Sequence, residues 1–245
     1  MRFFKIITSA LAVSTLCAVN FSCVKNDPVH ATTEDDFSNT TLMNVFNATV
    51  KATRNYVYVD GAPVSGVVFG AGSTFPNTAY AFRVKAGLRS FSIRDTLITS
   101  TQVPLNFVEN LDVNKFYTIF TYDSINAPKQ ITVLNNIQTP TGNTSMLRFA
   151  NFIYNTNAMP NVDVYSYRIT PGQPVFSNVQ TTGVTNFIPV PAGFIDTLYV
   201  YAAGTTSPLI AKAAVAAMTP QRSYTAVFNG SYRSTTRNIT TVATY

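Results

Sequence analysis

The sequence predicts an all-β protein made of two antiparallel β-sandwich domains in tandem. Short runs of β-branched and aromatic residues, such as residues 56–59, 116–120 and 162–165, recur from Leu42 onward and are separated by turn formers. No stretch longer than about ten residues keeps a helical period with caps. The two halves of the chain also match each other in sequence. These three observations favour a repeated β architecture over any helical one.

Residues 1–22 are predicted to be a secretory signal peptide. Arg2 and Lys5 form a basic amino-terminal region, and an apolar stretch at residues 6–19 follows it. That stretch is shorter than the about 20 apolar residues that a membrane-spanning helix needs. We therefore expect an exported protein that is not an integral membrane protein.

The end of the signal peptide carries a second prediction. The motif Asn20-Phe21-Ser22-Cys23 resembles the lipobox of bacterial lipoproteins, in the relaxed Ser-Cys form found in Bacteroidota. The resemblance implies cleavage before Cys23, lipidation of that cysteine, and anchoring at the outer membrane. The alternative is ordinary signal cleavage that leaves Cys23 as a free thiol.

Residues 23–41 are predicted to be a polar tether. The segment contains Pro28, the single histidine His30 and an acidic run at residues 34–36, with too few apolar residues to fold. We interpret the acidic run as solvated linker in preference to a calcium site. Loss of the two basic signal residues lowers the formal net charge from +6 to +4, which does not indicate a nucleic-acid partner.

The remainder of the chain is an internal repeat. Three sequence blocks match between the halves: residues 55–59 with 161–165, residues 84–87 with 190–193, and residues 117–120 with 224–227. The match predicts a first domain at residues 42–134 and a second at residues 146–245. Residues 135–145, which are rich in Asn, Thr, Pro and Gly, are the predicted linker between them.

Alternation along the predicted strands assigns side chains to faces. It places Val162 and Val164 in the core and turns Asp163 outward as a solvated carboxylate. In the matching block of the first domain, the same interpretation places Tyr56 and Tyr58 on one buried face, and it expects most tyrosines to be core residues. The Ala-rich residues 211–218 are predicted to form a strand in preference to a short helix.

Gly87 and Gly193 are predicted structural turns. Each ends one strand and begins another, where a hairpin needs a residue that tolerates positive φ. Pro189 and Pro191 lie two residues apart, and neither can donate to a ladder, so their strand is predicted to be an edge.

The second half resembles a bacterial family, the domain of unknown function numbered four-three-nine-seven. The motifs that carry the resemblance are Val162-Asp163-Val164-Tyr165, Ile188-Pro189-Val190-Pro191-Ala192-Gly193, Leu198-Tyr199-Val200-Tyr201 and Tyr224-Thr225-Ala226-Val227-Phe228-Asn229-Gly230. The first half resembles it through the internal match, so the family is expected here in tandem. The resemblance implies immunoglobulin-like sandwiches in exported, often lipid-anchored proteins, and it carries over no catalytic motif.

Nothing in the sequence indicates catalysis. The chain has one His and two Cys, which leaves little material for metal sites, disulfides or His-based chemistry. No pair of carboxylates has a spacing that requires proximity, and the nucleophile elbow and the phosphate-binding glycine loop are both missing. We therefore expect a protein that is not an enzyme and has no cofactor and no metal.

Two kinds of candidate surface site remain. The cations Arg83, Lys85, Arg89 and Arg94 cluster around the predicted turn, where a hairpin would gather them along one edge. Such an edge would attract an acidic polysaccharide or an anionic membrane surface, or it would only block edge-to-edge aggregation.

Three short motifs, Asp followed by Ser or Thr and an aliphatic residue, resemble the O-glycosylation sites of Bacteroidota proteins. Their acceptor residues are Thr96, Ser124 and Thr197. The sequence as a whole predicts a cell-envelope lipoprotein with a structural, adhesive or ligand-presenting role. The alternative is a carbohydrate-binding accessory module at the cell surface, with cell-surface polysaccharide or another envelope protein as its partner.

Overall fold

The computed structural model describes residues 37–77 and 81–244. The predicted signal peptide, Cys23 and most of the predicted tether lie outside the described residues. The strands of the described residues all lie in the unit Ser38–Tyr245. The described residues form strands and no helix, so the all-β prediction is confirmed. No helix long and apolar enough to cross a membrane occurs among them.

Seventeen strands make up the unit Ser38–Tyr245. The first half contains β1 (Thr40–Asn47), β2 (Asn55–Val59), β3 (Ala62–Pro63), β4 (Ser73–Phe75), β5 (Phe82–Lys85), β6 (Gly87–Asp95), β7 (Leu105–Leu111), β8 (Phe116–Tyr122) and β9 (Lys129–Leu134). The second half contains β10 (Thr144–Asn151), β11 (Val162–Ser166), β12 (Pro174–Val179), β13 (Ile188–Pro191), β14 (Asp196–Ala202), β15 (Ala211–Val215), β16 (Ser223–Asn229) and β17 (Asn238–Ala243). The Ala-rich segment is thus a strand, β15, as predicted.

Each half contains two sheets. In the first half the inner sheet has the order β4-β1-β8-β9, with β5 also paired to β1, and the outer sheet has the order β3-β2-β6-β7. In the second half the inner sheet is β13-β10-β16-β17 and the outer sheet is β12-β11-β14-β15. The three matched sequence blocks therefore lie on corresponding strands of the two halves.

Both inner sheets contain a parallel pair, which corrects the expectation of purely antiparallel sheets. β1 runs parallel to β8, and β10 runs parallel to β16. Two parallel strands need a long crossover connection. In each half, the strands of the outer sheet form part of the connection between the two parallel strands of the inner sheet. The partners are remote in sequence, as Leu42 and Phe116 illustrate, so no local turn signal announces the pairing.

Each half has its own apolar core between its two sheets. In the first half, Val45 and Ile119 of the inner sheet belong to one buried cluster with Val57 and Ile93 of the outer sheet. In the second half, Phe149 of the inner sheet is buried with apolar residues of β11 and β14. Burial of each such side chain contributes about 1.5–3 kcal/mol to stability.

A third apolar cluster joins the two halves. It contains Phe46 and Phe120 from the first half and Ala150, Phe152 and Val227 from the second. The rings of Phe120 and Phe152 stack with their centroids 4.7 Å apart. These residues alternate along their strands with residues of the two cores, so both inner sheets are buried on both faces. We call this contact region the junction.

The structure shifts the first matched block by one residue. The sequence match sets Tyr58 against Val164, whereas in the structure Val57 occupies that place. Val57 pairs with Ile93 as Val164 pairs with Val200. Val57 and Val59 are therefore core residues, and Tyr56 and Tyr58 lie on the outward face, contrary to the prediction. A slip of one residue exchanges the two faces of a strand. Residues 56–59 of β2 are all apolar or aromatic, so either face of the strand could pack into the core. The sequence therefore does not determine which face is buried.

The two predicted turn glycines do not close hairpins. Gly87 and Gly193 have φ values of 87° and 84°, but each lies where the chain passes from an inner-sheet strand to an outer-sheet strand. Positive φ is needed equally for a hairpin and for this change of sheet, so the residue alone does not distinguish them. β13, which carries Pro189 and Pro191, is an edge strand, as the proline pair predicts.

Candidate functional site

The predicted basic patch is not assembled along one edge. Arg83 and Lys85 lie on β5, which belongs to the first inner sheet. Arg89 and Arg94 lie on β6, an interior strand of the first outer sheet. Because β5 and β6 do not pair with each other, the expected hairpin and its row of cations are wrong.

Three of the four cations have local partners. Arg83 Nη1 donates to a threonine hydroxyl of β1 at 3.2 Å. Arg89 forms an ion pair with Asp60, with its Nη1 2.8 Å from the carboxylate. The guanidinium of Arg94 lies 4.3 Å from the centroid of the Tyr58 ring. Arg83, Arg89 and Arg94 therefore each interact with a residue of the first half.

The three predicted acceptor residues for O-glycosylation lie apart. Thr96 follows β6, Ser124 follows β8, and Thr197 lies within β14, where it pairs with Ala214. All three are half-buried. Their modification stays a prediction.

A cluster of tyrosines lies on the outward face of the second outer sheet. In β14, Leu198 and Val200 point into the core, so Tyr199 and Tyr201 point outward. The antiparallel pairing of β11 with β14 sets Tyr165 directly opposite Tyr199. Residues paired in this way share one face, so the fold gathers rings that are remote in sequence.

The four rings of this tyrosine surface, formed by Tyr165, Tyr167, Tyr199 and Tyr201, meet edge to face. Tyr165 and Tyr201 have centroids 5.6 Å apart at an interplanar angle of 83°, and Tyr167 and Tyr199 lie 5.0 Å apart at 74°. Such arrangements are the favoured geometry of aromatic pairs. Tyr167 is 70% exposed. Burial, and then the neighbouring tyrosines, raise the pKa of Tyr201, which keeps its hydroxyl protonated.

The tyrosine surface borders an open cavity. With Ser166, Gly172 and Thr206, the four tyrosines line a volume of about 310 Å³, at the lower end of the roughly 300–1,000 Å³ of small-molecule sites. None of the four phenol hydroxyls bonds to another residue within the described part of the chain. Lys212 pairs with Tyr199 across the next strand and so shares its face.

Ser166 holds the turn that carries Tyr167. Its hydroxyl donates to the carboxylate of Asp196 and accepts the backbone N–H groups of Arg168 and Ile169 at 3.1 and 3.0 Å. Asp196 in turn accepts the backbone N–H of the residue that follows it at 2.7 Å. Tyr167 lies between Ser166 and Arg168, and the Ser166 hydroxyl accepts the backbone N–H of Arg168. This hydrogen bond fixes the backbone of Tyr167 before a ligand binds.

Asp163 anchors the strand β12 and the loop after β14, beside the tyrosine surface. It faces outward as predicted, but it is only 5% exposed, so the expectation of a solvated carboxylate is wrong. Its two oxygens accept the backbone N–H groups of Asn178 and Gly204, both at 2.7 Å. These two hydrogen bonds compensate the burial of the charge.

Sequence reasoning assigned these tyrosines to the core, although a signal for their exposure existed. If Val164 faces the core, Tyr165 must face outward, and Tyr199 and Tyr201 alternate with two aliphatic residues in the same way.

Within residues 37–77 and 81–244, no group of three or more His, Cys, Asp or Glu residues has an arrangement that could hold a metal ion.

Comparison with known proteins gives the following. No protein-family model and no curated protein matches the chain. Among solved structures, the Bacillus anthracis TIE protein is 12% identical with a TM-score of 0.25, and the match covers 78% of this chain and 34% of that one. Streptococcal family 41 carbohydrate-binding modules that recognise α-glucan are 9% identical with a TM-score of 0.26, covering 81% and 96%. A streptococcal virulence factor that binds α-glucan is 9% identical with a TM-score of 0.23, covering 78% and 93%.

The chain thus spans about a third of the TIE protein. Likeness at these TM-scores carries no argument about fold or function.

Proposed function

We propose that this protein is a non-catalytic polysaccharide-binding module whose ligand site is the tyrosine surface. The observation that carries the proposal is the set of four edge-to-face rings around an open cavity of about 310 Å³. Tyrosine rings offer flat apolar faces to the C–H faces of sugar rings, and their hydroxyls bond to sugar hydroxyls. Ser166 and Asp163 hold the surrounding backbone in place, which lowers the cost of ordering it on binding.

The proposal places this module in the cell envelope. Cys23 carries the lipid anchor at the outer membrane, and residues 23–41 hold the domains away from the membrane. The lipobox-like motif supports the anchor, and the internal repeat supports a tandem of the domain of unknown function named above. Two stacked sheets in each half are compatible with immunoglobulin-like sandwiches. The module presents bound polysaccharide at the envelope and performs no chemistry on it.

Affinity electrophoresis through gels that contain soluble polysaccharides tests the binding. The panel includes an α-glucan, a β-glucan and a galactomannan. We expect at least one to retard the wild-type protein, and we expect the double variant Tyr199→Ala, Tyr201→Ala to lose at least tenfold in affinity. The matched control is Tyr56→Ala, Tyr58→Ala, which removes two outward tyrosines from the first half. Equal losses in the two double variants would contradict the assignment of the site.

The intact mass of the protein purified from membranes tests the anchor. We expect the mass of residues 23–245 plus two or three acyl chains. Further increments of the size of a sugar would support modification at Thr96, Ser124 or Thr197. An unlipidated mass from a soluble fraction would contradict the lipoprotein proposal, while leaving the polysaccharide site to be judged by electrophoresis.

A further inference from the structure

The junction contains a buried arginine. Arg148 lies in β10 between the core residues Leu147 and Phe149, so its side chain points to the opposite face, into the junction. It is only 2% exposed. Nε donates to the hydroxyl of Thr225 at 2.9 Å, and Nη2 donates to the hydroxyl of Thr118 at 3.2 Å. Alternation in β10 turns Arg148 away from the core, and sequence alone would therefore predict an exposed arginine. The sequence does not reveal that the first half packs over this face and buries the side chain.

The positive charge of Arg148 has no anionic partner. Within the described ranges 37–77 and 81–244, no carboxylate forms an ion pair with it, and its Nη1 has no hydrogen-bond partner there. Its guanidinium instead lies 4.6 Å from the ring centroid of Phe187 and 5.7 Å from that of Phe120. Burial without a counter-charge is costly, and it lowers the pKa of Arg148 to about 9.

Arg148 also lines a cavity of about 310 Å³. The wall combines polar side chains with the apolar residues Val133, Leu134, Met146, Val184 and Phe187. These polar residues are Asn136, Gln138, Thr185 and Asn186. Arg148 is the single charged residue among those that line the cavity.

We propose that this cavity binds a carboxylate-bearing sugar, a uronic acid unit, whose carboxylate pairs with Arg148. The planar fork of an arginine matches a carboxylate, and one cation balances one negative charge, which favours a carboxylate over a doubly charged phosphate. The side-chain amides of Asn136, Gln138 and Asn186 around the cavity suit the hydroxyls of a sugar ring. The second inner and outer sheets lie between this cavity and the tyrosine surface, so the inference does not depend on the proposed function.

Isothermal titration of the full chain with sodium glucuronate tests the site. Glucose is the neutral analogue, and inorganic phosphate is the alternative anion. We expect saturable binding of glucuronate that is at least tenfold tighter than that of either comparison ligand. Arg148→Met is expected to lose at least tenfold in affinity, and Arg148→Lys to lie in between because a point charge replaces the fork. Arg222→Met, at an exposed arginine of the same half, is the matched control with unchanged binding.

Three results would overturn the inference. The first is a wild-type titration without saturable glucuronate binding, which needs no variant and is decisive if Arg148→Met fails to fold. The second is equal affinity for glucuronate in Arg148→Met and wild type. The third is phosphate or glucose binding as tightly as glucuronate. The double variant Tyr199→Ala, Tyr201→Ala should bind glucuronate like wild type, which separates this site from the tyrosine surface.

Discussion

The two outer sheets share strand order and register, yet they present different outward faces. Tyr58 in the first sheet and Tyr165 in the second occupy the same place. Opposite them, the first sheet carries Ser92 and the second carries Tyr199. The aliphatic residues between them face the core in both sheets. A common β framework therefore fixes the positions, while the outward residues determine what each half can bind.

A second substitution changes what packs against the shared tyrosine. The place of Tyr201 is taken in the first sheet by Arg94, whose guanidinium lies 4.3 Å from the centroid of the Tyr58 ring. Arg94 packs against that ring, whereas Tyr201 meets Tyr165 edge to face. Both tyrosines are half-buried and line a cavity, of about 380 Å³ in the first half and about 310 Å³ in the second. The first half therefore shares the framework of the site but has an arginine–tyrosine contact where the second half has a cluster of four rings.

The turn beside the site differs as well. In the first half Asp60 follows β2 and pairs with Arg89 of the neighbouring strand at 2.8 Å. In the second half Tyr167 follows β11, and the turn is held from within by Ser166, at the place of Val59. An exposed ion pair stabilises a fold little, whereas a buried hydroxyl with three partners contributes more.

The largest expected effect is on the free energy of unfolding, and it distinguishes a core residue of the second half from a residue on the outward face. Phe149→Ala should lower the free energy of unfolding by about 3–5 kcal/mol, because it leaves a cavity in the core. Tyr165→Ala on the outward face should cost less than about 1 kcal/mol. Urea denaturation measures both. Equal costs would show that Tyr165 is a core residue and would remove the tyrosine surface.

The turn of the second half is tested by Ser166→Ala. The variant loses the hydroxyl that bonds to two backbone N–H groups and to Asp196, so we expect a cost of about 1–3 kcal/mol. The control Ser177→Ala, at an exposed serine of β12, should stay within about 0.5 kcal/mol of wild type. Urea denaturation again gives the numbers. A neutral Ser166→Ala would mean that the turn does not depend on this hydroxyl.

A substitution that makes the outward face of the second outer sheet resemble that of the first should have a smaller energetic effect than the two losses of stability above, and it should affect binding. Tyr201→Arg installs the first-half arrangement, in which a guanidinium packs against the ring opposite. We expect about a tenfold loss of polysaccharide affinity, equivalent to about 1.4 kcal/mol, in affinity electrophoresis. Arg94→Ala in the first half serves as control and should leave binding unchanged. Retained affinity in Tyr201→Arg would argue against the cluster of four rings as the basis of the difference.

The smallest effect concerns the ion pair of the first half. The backbone N–H of Ser90 and then the Arg89 guanidinium hold the pKa of Asp60 below its ordinary value of 3.8. Its stabilising contribution is therefore complete above that value and is lost as the pH falls through the lower folded-state pKa. Asp60→Asn should show a weaker decline of the thermal midpoint than wild type as the pH falls from about 5 to about 2. Identical declines would contradict this contribution.

Local sequence patterns predicted much of the fold. The all-β class, the strand β15 and the edge position of the strand with Pro189 and Pro191 follow from alternation and from the chemistry of proline. Faces in the second half follow as well, because Val162 and Val164 flank a carboxylate. In β2 the same rule fails, since Tyr56 to Val59 offers an apolar side chain to either face.

The candidate site was predicted less well. The basic patch depended on a hairpin at Gly87, but the chain changes sheet there and divides the four cations between two sheets. Most tyrosines were assigned to the core because they occupy alternating strand positions, where core packing is expected. Alternation with Val164, Leu198 and Val200 places these tyrosines on the outward face, but only tertiary packing decides that no further layer covers the rings.

The sequence by itself determined the β class, the repeat and the edge strand, because backbone preference and turn chemistry act between near neighbours. Only the tertiary structure decided which strands pair in parallel, which ring faces remain open and why Arg148 is buried without a counter-charge. Each of these depends on contacts between residues remote in the chain. Thr118 and Arg148, for example, come from different halves and meet only because the two inner sheets pack together.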